Sequence, residues 1–135
     1  GECAEYCGTS HANMRFRVVA LPEEEYNSWM ENRMTAAAVA PADALAQRGH
    51  DLFVNGTCAA CHTIAGTSAQ GKVGPDLTDF SSRTSLAAGM LENTPENLRA
   101  WLKNPQAVKP GARMPNLGLS DADISALVAF LTSLE

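Results

Sequence analysis

The feature that most constrains this chain of 135 residues is a motif near its centre, Cys58-Ala59-Ala60-Cys61-His62. Two thiols at this spacing can bond to two vinyl groups on one edge of a porphyrin, and the next residue then places an imidazole under the iron. The alternative is a redox-active Cys-x-x-Cys pair beside an incidental histidine, but that motif is typical of a βαβ setting, which the surrounding sequence lacks. The motif therefore predicts a haem c attached through Cys58 and Cys61, with His62 as an axial ligand of the iron.

A six-coordinate iron needs a second axial ligand, and the three histidines and five methionines are the candidates. Met114 lies between Pro110-Gly111 and Pro115, and prolines and glycine in such a segment favour a stiff loop that could hold the sulfur toward the iron. Met90, in a looser segment, and His50, on a predicted helix, are weaker candidates. A methionine without such a context is more often core filler. The loop therefore favours Met114.

Two further residues are candidates for the haem pocket. Pro75 follows the motif by about one loop, within Gly74-Pro75-Asp76-Leu77. A histidine ligand usually donates its other ring N–H to a carbonyl or carboxylate, and the rigid carbonyl of Pro75 could accept that bond, although an ordinary turn explains the segment equally well. Trp101 could line the pocket or belong to the core.

Composition narrows the class of protein. Apolar residues make up 45% of the chain and charged residues 19%, as in a water-soluble globular protein of one ordinary domain. The net charge of −5 argues against nucleic acid as a partner. No apolar run approaches the roughly 18 residues that a membrane span requires. Because the sequence begins at Gly1, two residues before a cysteine, we expect it to be a fragment of a longer protein.

The sequence divides into residues 1–34, a linker of small residues at 35–40, and residues 41–135. The alternative for the linker is that its alanines extend the preceding helix. In the first segment a β-like run covers residues 14–20, and a helix is predicted with Pro22 at its first position and with Tyr26, Trp29 and Met30 on one packing face.

Residues 41–135 are predicted to be helical without a convincing strand. Helices are expected from Pro41 to Val54, from Pro95 to Lys103, and after the N-cap residue Ser120. The last helix carries the apolar spacing of an amphipathic helix at Ile124, Leu127, Val128, Leu131 and Leu134.

Residues 41–135 resemble class I cytochrome c along nearly their whole length. The matching pieces, in the order of that family, are Gly49 with Phe53, the Cys58–His62 motif, Gly74–Leu77, Trp101–Pro105, Pro110–Pro115, and Leu127 with Phe130. The resemblance implies a mainly α fold with helices packed around a covalent haem c. It also implies that Met114 is the second axial ligand, that Pro75 braces His62, that the first and last helices cross at Gly49, and that Trp101 stands beside the haem.

Residues 3–14, Cys-Ala-Glu-Tyr-Cys-Gly-Thr-Ser-His-Ala-Asn-Met, resemble the dinuclear copper loop of cytochrome c oxidase subunit II. The resemblance implies copper ligands at Cys3, Cys7, His11 and Met14 and at the backbone carbonyl of Glu5, and such soft donors suit copper. The family also requires an upstream histidine and a cupredoxin-like β-sandwich. Both are missing here, so we expect residues 1–34 to be the C-terminal remnant of the copper domain, without bound copper.

Residues 82–89 and 93–98 resemble the cytochrome domains fused to that same subunit, so the two halves support each other. The resemblance implies an electron carrier, not an enzyme by itself, within a respiratory cytochrome c oxidase. It would accept electrons from an upstream donor protein and pass them to the copper domain of the same subunit. It would associate with other oxidase subunits on the outer face of a bacterial cytoplasmic membrane.

Other classes of protein fit the sequence less well. A small haem peroxidase needs an open iron position, which Met114 would close. A gas or redox sensor needs a labile ligand and an output domain. A copper-transfer protein would account for residues 1–14 only. Disulfides within the pairs Cys3/Cys7 and Cys58/Cys61 would suit a protein outside the cytosol, but each pair stands in a metal-type context.

Overall fold

The structure is a computed structural model that describes residues 1–35, 41 and 43–134. The described part is mainly helical. Its α-helices are α1 (Glu23–Thr35), α2 (Ala44–Asn55), α3 (Pro95–Lys103), α4 (Pro105–Val108) and α5 (Asp121–Leu131). A two-stranded antiparallel hairpin pairs β1 (Ser85–Leu86) with β2 (Leu91–Glu92), in the register Ser85 to Glu92 and Leu86 to Leu91. Among the described helices, none has the length and apolar character needed to span a bilayer.

Polar side chains fix where the helices begin. Asp43, Thr94, Asn104 and Ser120 each precede a helix and accept a hydrogen bond from a backbone N–H of its first turn. The predicted cap at Ser120 and the predicted helix from Pro95 to Lys103 agree with these bounds. Helix α2 begins at Ala44 instead of Pro41, because the cap is Asp43.

The core lies where α2 crosses α5. Phe53 of α2 and Phe130 of α5 are almost completely buried, with ring centroids 6.0 Å apart. Ile64, Leu98 and Leu134 bring the loop after the cysteine motif, α3 and the chain end into the same core. This packing holds the cysteine motif at the end of α2 against a rigid support.

Two predictions for the first segment are wrong. Residues 14–20 form no strand: one bridge pairs Glu2 with Arg15, and Val18 and Val19 are exposed because no other described strand lies beside them. The expected packing face of α1 is not buried either. Tyr26 and Trp29 contact each other at 5.8 Å between ring centroids but remain 46% and 44% exposed.

Of the predicted linker, residues 35–40, only Thr35 belongs to the described residues. Thr35 is the last residue of α1, and residues 36–40 lie outside the described residues, together with the alternative that the alanines extend the helix. Helix α1 contacts the following segment through Arg33, which donates a hydrogen bond to the buried carboxylate of Asp79.

The hairpin was not predicted. Its connecting turn contains three successive residues with positive φ: Ala87 at 56°, Ala88 at 62° and Gly89 at 76°. Left-handed backbone is uncommon for residues with a β-carbon, so the alanines carried no sequence signal for this turn.

Candidate haem-binding site

The cysteine motif lies on a tight turn directly after α2. Residues Thr57–Ala60 form a 3₁₀ turn, and the N–H groups of Cys61 and His62 both donate to the carbonyl of Cys58, at 3.1 and 3.0 Å. Cys58 and Cys61 are both partly buried and unpaired, so the structure brings together two free thiols and the imidazole that follows them. Burial raises the pKa of the Cys58 thiol.

The His62 ring is held by a backbone carbonyl. Its Nδ1 lies 2.8 Å from the carbonyl oxygen of Pro75. Because a carbonyl oxygen can only accept, Nδ1 donates this hydrogen bond, which in the neutral imidazole leaves the lone pair on Nε2, as a metal ligand requires. The carbonyl that the sequence offered as an acceptor is therefore at hydrogen-bond distance from this ring.

Gly74 leaves the room that this ring needs. A β-carbon on Gly74 would stand 2.5 Å from Cε1, 2.7 Å from Nδ1 and 3.0 Å from Nε2 of His62. The imidazole thus lies in the space that a side chain at this position would fill, while the N–H of Gly74 donates to the carbonyl of Cys61 at 2.7 Å. The sequence assigned no role to Gly74, and its only signal was a glycine beside the candidate acceptor.

The surroundings fit an apolar porphyrin. Several side chains pack on the core but stay only partly buried: Cys58, Ala59, Leu91, Trp101, Met114 and Leu119. These partly buried apolar side chains pack on the same core as Phe53 of α2, which leads into the Cys58–His62 turn, and apolar surface with thiol, imidazole and thioether donors suits a haem c. Trp101, on α3, packs against the core and is partly exposed, so its place beside the haem stays a prediction.

The Met114 loop is held by a side chain that the sequence did not single out. The amide of Gln106, on α4, donates to the carbonyl of Met114 at 3.1 Å and also to the carbonyl of Ala112. The weaker ligand candidates have other surroundings. His50 packs edge-on against Phe130, with 5.4 Å between centroids, and Met90 lies half-buried in the hairpin turn.

The structure also brings together the predicted copper ligands. One ligand atom each from Cys3, Cys7 and His11 lie within 4.8 Å of one another. The Cys7 sulfur is 3.5 Å from the Met14 sulfur, and the Cys3 thiol donates to the carbonyl of Glu5 at 3.1 Å. A backbone hydrogen bond of 3.0 Å, from the N–H of Cys3 to the carbonyl of Met14, joins the two ends of this segment. Hydrogen bonding with Cys3 and burial raise the pKa of the Cys7 thiol.

Comparison with known proteins agrees with both halves of the chain. A family model described as cytochrome c matches residues 46–135. Over its whole length the chain is 43% identical to cytochrome c oxidase subunit 2 of Alkalihalophilus pseudofirmus and 36% identical to that of Bacillus subtilis, and it spans 39% of the length of each. It is 34% identical over 112 residues to cytochrome c2 of Blastochloris viridis, which covers 71% of this chain and 84% of that protein.

The family match and the helical architecture agree on the fold. Helices α2 and α5 cross over a common core, with the Cys58–His62 turn at the end of α2, which is the predicted class I cytochrome c fold. Cytochromes c carry a covalent haem c, and the thiols and imidazole of this turn suit it. The chain belongs to the cytochrome c family.

Proposed function

We propose that this chain carries electrons through a haem c bound at Cys58 and Cys61 and ligated by His62 and Met114. It accepts electrons from a donor protein and passes them to a copper centre in the same subunit of a haem-copper oxygen reductase. The observation that carries the proposal is the turn after α2, where two unpaired thiols precede an imidazole whose Nδ1 is held by Pro75.

When bound, haem c supplies an iron that gains and loses one electron. The residues of this chain hold and tune that iron. The Pro75 carbonyl fixes the orientation of His62 and raises the basicity of its Nε2. Gln106 holds the backbone of the Met114 loop, and a thioether ligand there raises the reduction potential relative to a second imidazole. The apolar side chain of Trp101 limits access of water.

The same ligand set favours an electron carrier over an enzyme. A peroxidase needs an open iron position, and the proposed ligation by Met114 closes it. The similarity of the whole chain to bacterial oxidase subunits supports a place among other oxidase subunits, on the outer face of the cytoplasmic membrane. The parent complex would be a cytochrome c oxidase, with copper held by the copper domain and not by this segment alone.

Optical spectra and a redox titration of the haem-loaded chain test the ligand assignment. Oxidised and reduced spectra report the haem type and both axial ligands. The variant Met114→His should lower the midpoint potential markedly, because imidazole replaces thioether. The matched control Met90→His should leave the potential near that of the wild type. A potential that shifts with Met90→His and not with Met114→His would contradict the proposal.

The second half of the proposal needs the full-length subunit with its copper domain. After rapid reduction of the haem by a donor, oxidation of the haem should be accompanied by reduction of the copper centre within the same molecule. Independence of this rate from protein concentration would identify the transfer as intramolecular. Oxidation that depends on concentration, or a copper centre that stays oxidised, would contradict it.

A further inference from the structure

We propose that residues 3–14, here called the ligand loop, dock on residues 109–114, the methionine loop, and that this contact is the junction through which the electron passes. The inference rests on the proposed function and names the surface at which it occurs. One electron leaves the haem iron, which is oxidised, and reduces the copper centre, without making or breaking a bond. What the structure supplies is a direct contact between the two segments that carry the proposed metal ligands.

The first contact is a hydrogen bond between the two loops. The hydroxyl of Ser10 donates to the carbonyl of Pro110 at 2.7 Å. Ser10 immediately precedes His11, and Pro110 is four residues before Met114. Covalent bonds of the backbone and one hydrogen bond therefore connect His11, a proposed copper ligand, with Met114, a proposed iron ligand.

The second contact is the close approach of Thr9 and Ser10 to Gly111 in the methionine loop. A β-carbon on Gly111 would stand 2.8 Å from Cβ of Thr9 and 3.4 Å from the backbone nitrogen of Ser10. Gly111 also has a φ of +82°, a conformation in which a side chain is strained. The glycine thus permits both the turn and the close approach of the ligand loop.

The third contact extends the junction to the hairpin turn. The N–H of Arg15, next to Met14, donates to the carbonyl of Ala88 at 3.0 Å. The ammonium of Lys109 donates to the carbonyl of Ala87 at 3.3 Å. Ala87 and Ala88 are both left-handed, a conformation that persists for residues with a β-carbon only where the surroundings fix it. The strained turn presents two carbonyls, one to the methionine loop and one to the end of the ligand loop.

The test uses the full-length subunit loaded with haem and copper, and it compares two alanine variants of left-handed glycines. Gly111→Ala should open the junction. Gly118→Ala is the matched control, because Gly118 has a φ of +64° but a β-carbon there would meet nothing within 4 Å, so it carries the strain without the clash. Ser10→Ala removes the hydrogen bond from the side of the ligand loop. Its control is Ser133→Ala, because Ser133 donates to the carbonyl of Phe130 at 2.7 Å within the end of α5.

Two quantities are measured for each variant. One is the rate of electron transfer from haem to copper. The other is amide hydrogen exchange at Arg15, which requires neither metal. Gly111→Ala and Ser10→Ala should each slow the transfer and speed the exchange by about tenfold, the effect of losing one hydrogen-bonded contact. The two controls should change neither quantity. If the wild type and Ser10→Ala have equal midpoint potentials, a slower rate in the variant comes from the weakened contact between the loops and not from a change at the haem ligands.

The outcomes separate the two proposals. Faster exchange together with slower transfer supports the junction. Faster exchange with unchanged transfer, or unchanged exchange in both Gly111→Ala and Ser10→Ala, overturns it even when the wild type reduces its copper normally. If the wild type does not transfer an electron to copper at all, the proposed function fails first, whatever the exchange at Arg15 shows.

Discussion

Gly49 of α2 lies directly against the backbone of α5 at Ala126: a β-carbon on Gly49 would stand 2.0 Å from the Ala126 carbonyl oxygen. The same atom would be 2.7 Å from Cβ of Phe130. The two helices therefore meet backbone to backbone at this point, as the resemblance to class I cytochromes c implied. This contact holds the end of α2, and with it the cysteine motif, in place.

Gly49→Ala tests this crossing, because the change in the free energy of unfolding has opposite signs with and without a close contact between the helices. Helix propensity alone would stabilise the variant by about 1 kcal/mol, because glycine is a poor helix former. Overpacking against α5 costs about 1–3 kcal/mol or more, so we expect a net loss in the free energy of unfolding, and a larger loss for Gly49→Val. Urea unfolding measures both, with Ala44→Val on the exposed side of α2 as the control. A Gly49→Ala protein more stable than wild type would refute the close crossing.

Gly74→Ala tests the support of His62. The new methyl group cannot fit 2.5 to 3.0 Å from the imidazole, so either the ring or the backbone at Pro75 must move and weaken the 2.8 Å hydrogen bond. Loss of this bond makes Nε2 a weaker donor, and the midpoint potential should rise. Redox titration checks the change. Gly118→Ala, which is strained but has open space, should keep the wild-type potential, and equal shifts in the two variants would argue against a specific role of Gly74.

Asp123 predicts how the α2–α5 contact responds to acid. Its carboxylate accepts hydrogen bonds from the Ser120 hydroxyl at 2.6 Å and from Arg48 of α2 at 2.7 Å, and these two partners lower its pKa. A carboxylate with a lowered folded pKa stabilises the fold above its unfolded value of about 3.9, and this contribution is lost as pH falls through the folded pKa.

In Asp123→Asn, the free energy of unfolding should therefore fall less steeply than in the wild type as the pH drops below about 4. Ser120→Ala removes one of the two hydrogen bonds to the carboxylate, so its decline should also be less steep than that of the wild type. Unfolding free energies measured across that pH range check both variants. An acid profile of Asp123→Asn that is parallel to that of the wild type would show that this carboxylate does not couple to folding.

Local chemistry made much of the site predictable. The motif at residues 58–62 has a spacing that follows from the porphyrin. Ser120 marks a helix start because its side chain caps the helix, and Pro95 marks one because proline suits the first helical position. A carbonyl at Pro75 could be offered as an acceptor because the segment follows the histidine by one loop. The motif and the helix caps lie within a few residues of the structure they specify, whereas Pro75 lies 13 residues after His62.

Contacts between distant residues were not predictable. Arg33 reaches Asp79 across 46 residues of sequence, and Arg83 pairs with the same carboxylate at 3.1 Å, so a helix expected to pack through aromatic residues is attached through a cation instead. Gln106 supports Met114 only because α4 and the methionine loop fold together. Alanine disfavours left-handed backbone, so the positive φ angles of Ala87 and Ala88 depend on tertiary contacts, whereas Gly89 adopts such an angle readily.

The charges of the cytochrome segment predict how its electron transfer responds to salt. Residues 41–135 contain seven basic and nine acidic residues, for a formal charge of −2, and only three of the basic residues are lysines. Three of the seven already face carboxylates: Arg48 at Asp123, Arg83 at Asp79 and Lys103 at Asp121. A ring of free lysines, which would steer an acidic partner, is therefore not available on this segment.

The proposed junction is instead held largely by uncharged groups, the Ser10 hydroxyl on Pro110 and the Arg15 amide on Ala88. A copper domain in the same chain is also kept near by its linker, at an effective concentration of about millimolar for a short flexible connection. Steered association falls steeply with ionic strength, whereas tethered docking through neutral contacts does not. We expect the haem-to-copper rate in the full-length subunit to change by less than about twofold between low and high salt. Flash reduction of the haem at a series of salt concentrations measures this rate, and a steep fall would reveal a charged docking surface in place of the neutral one.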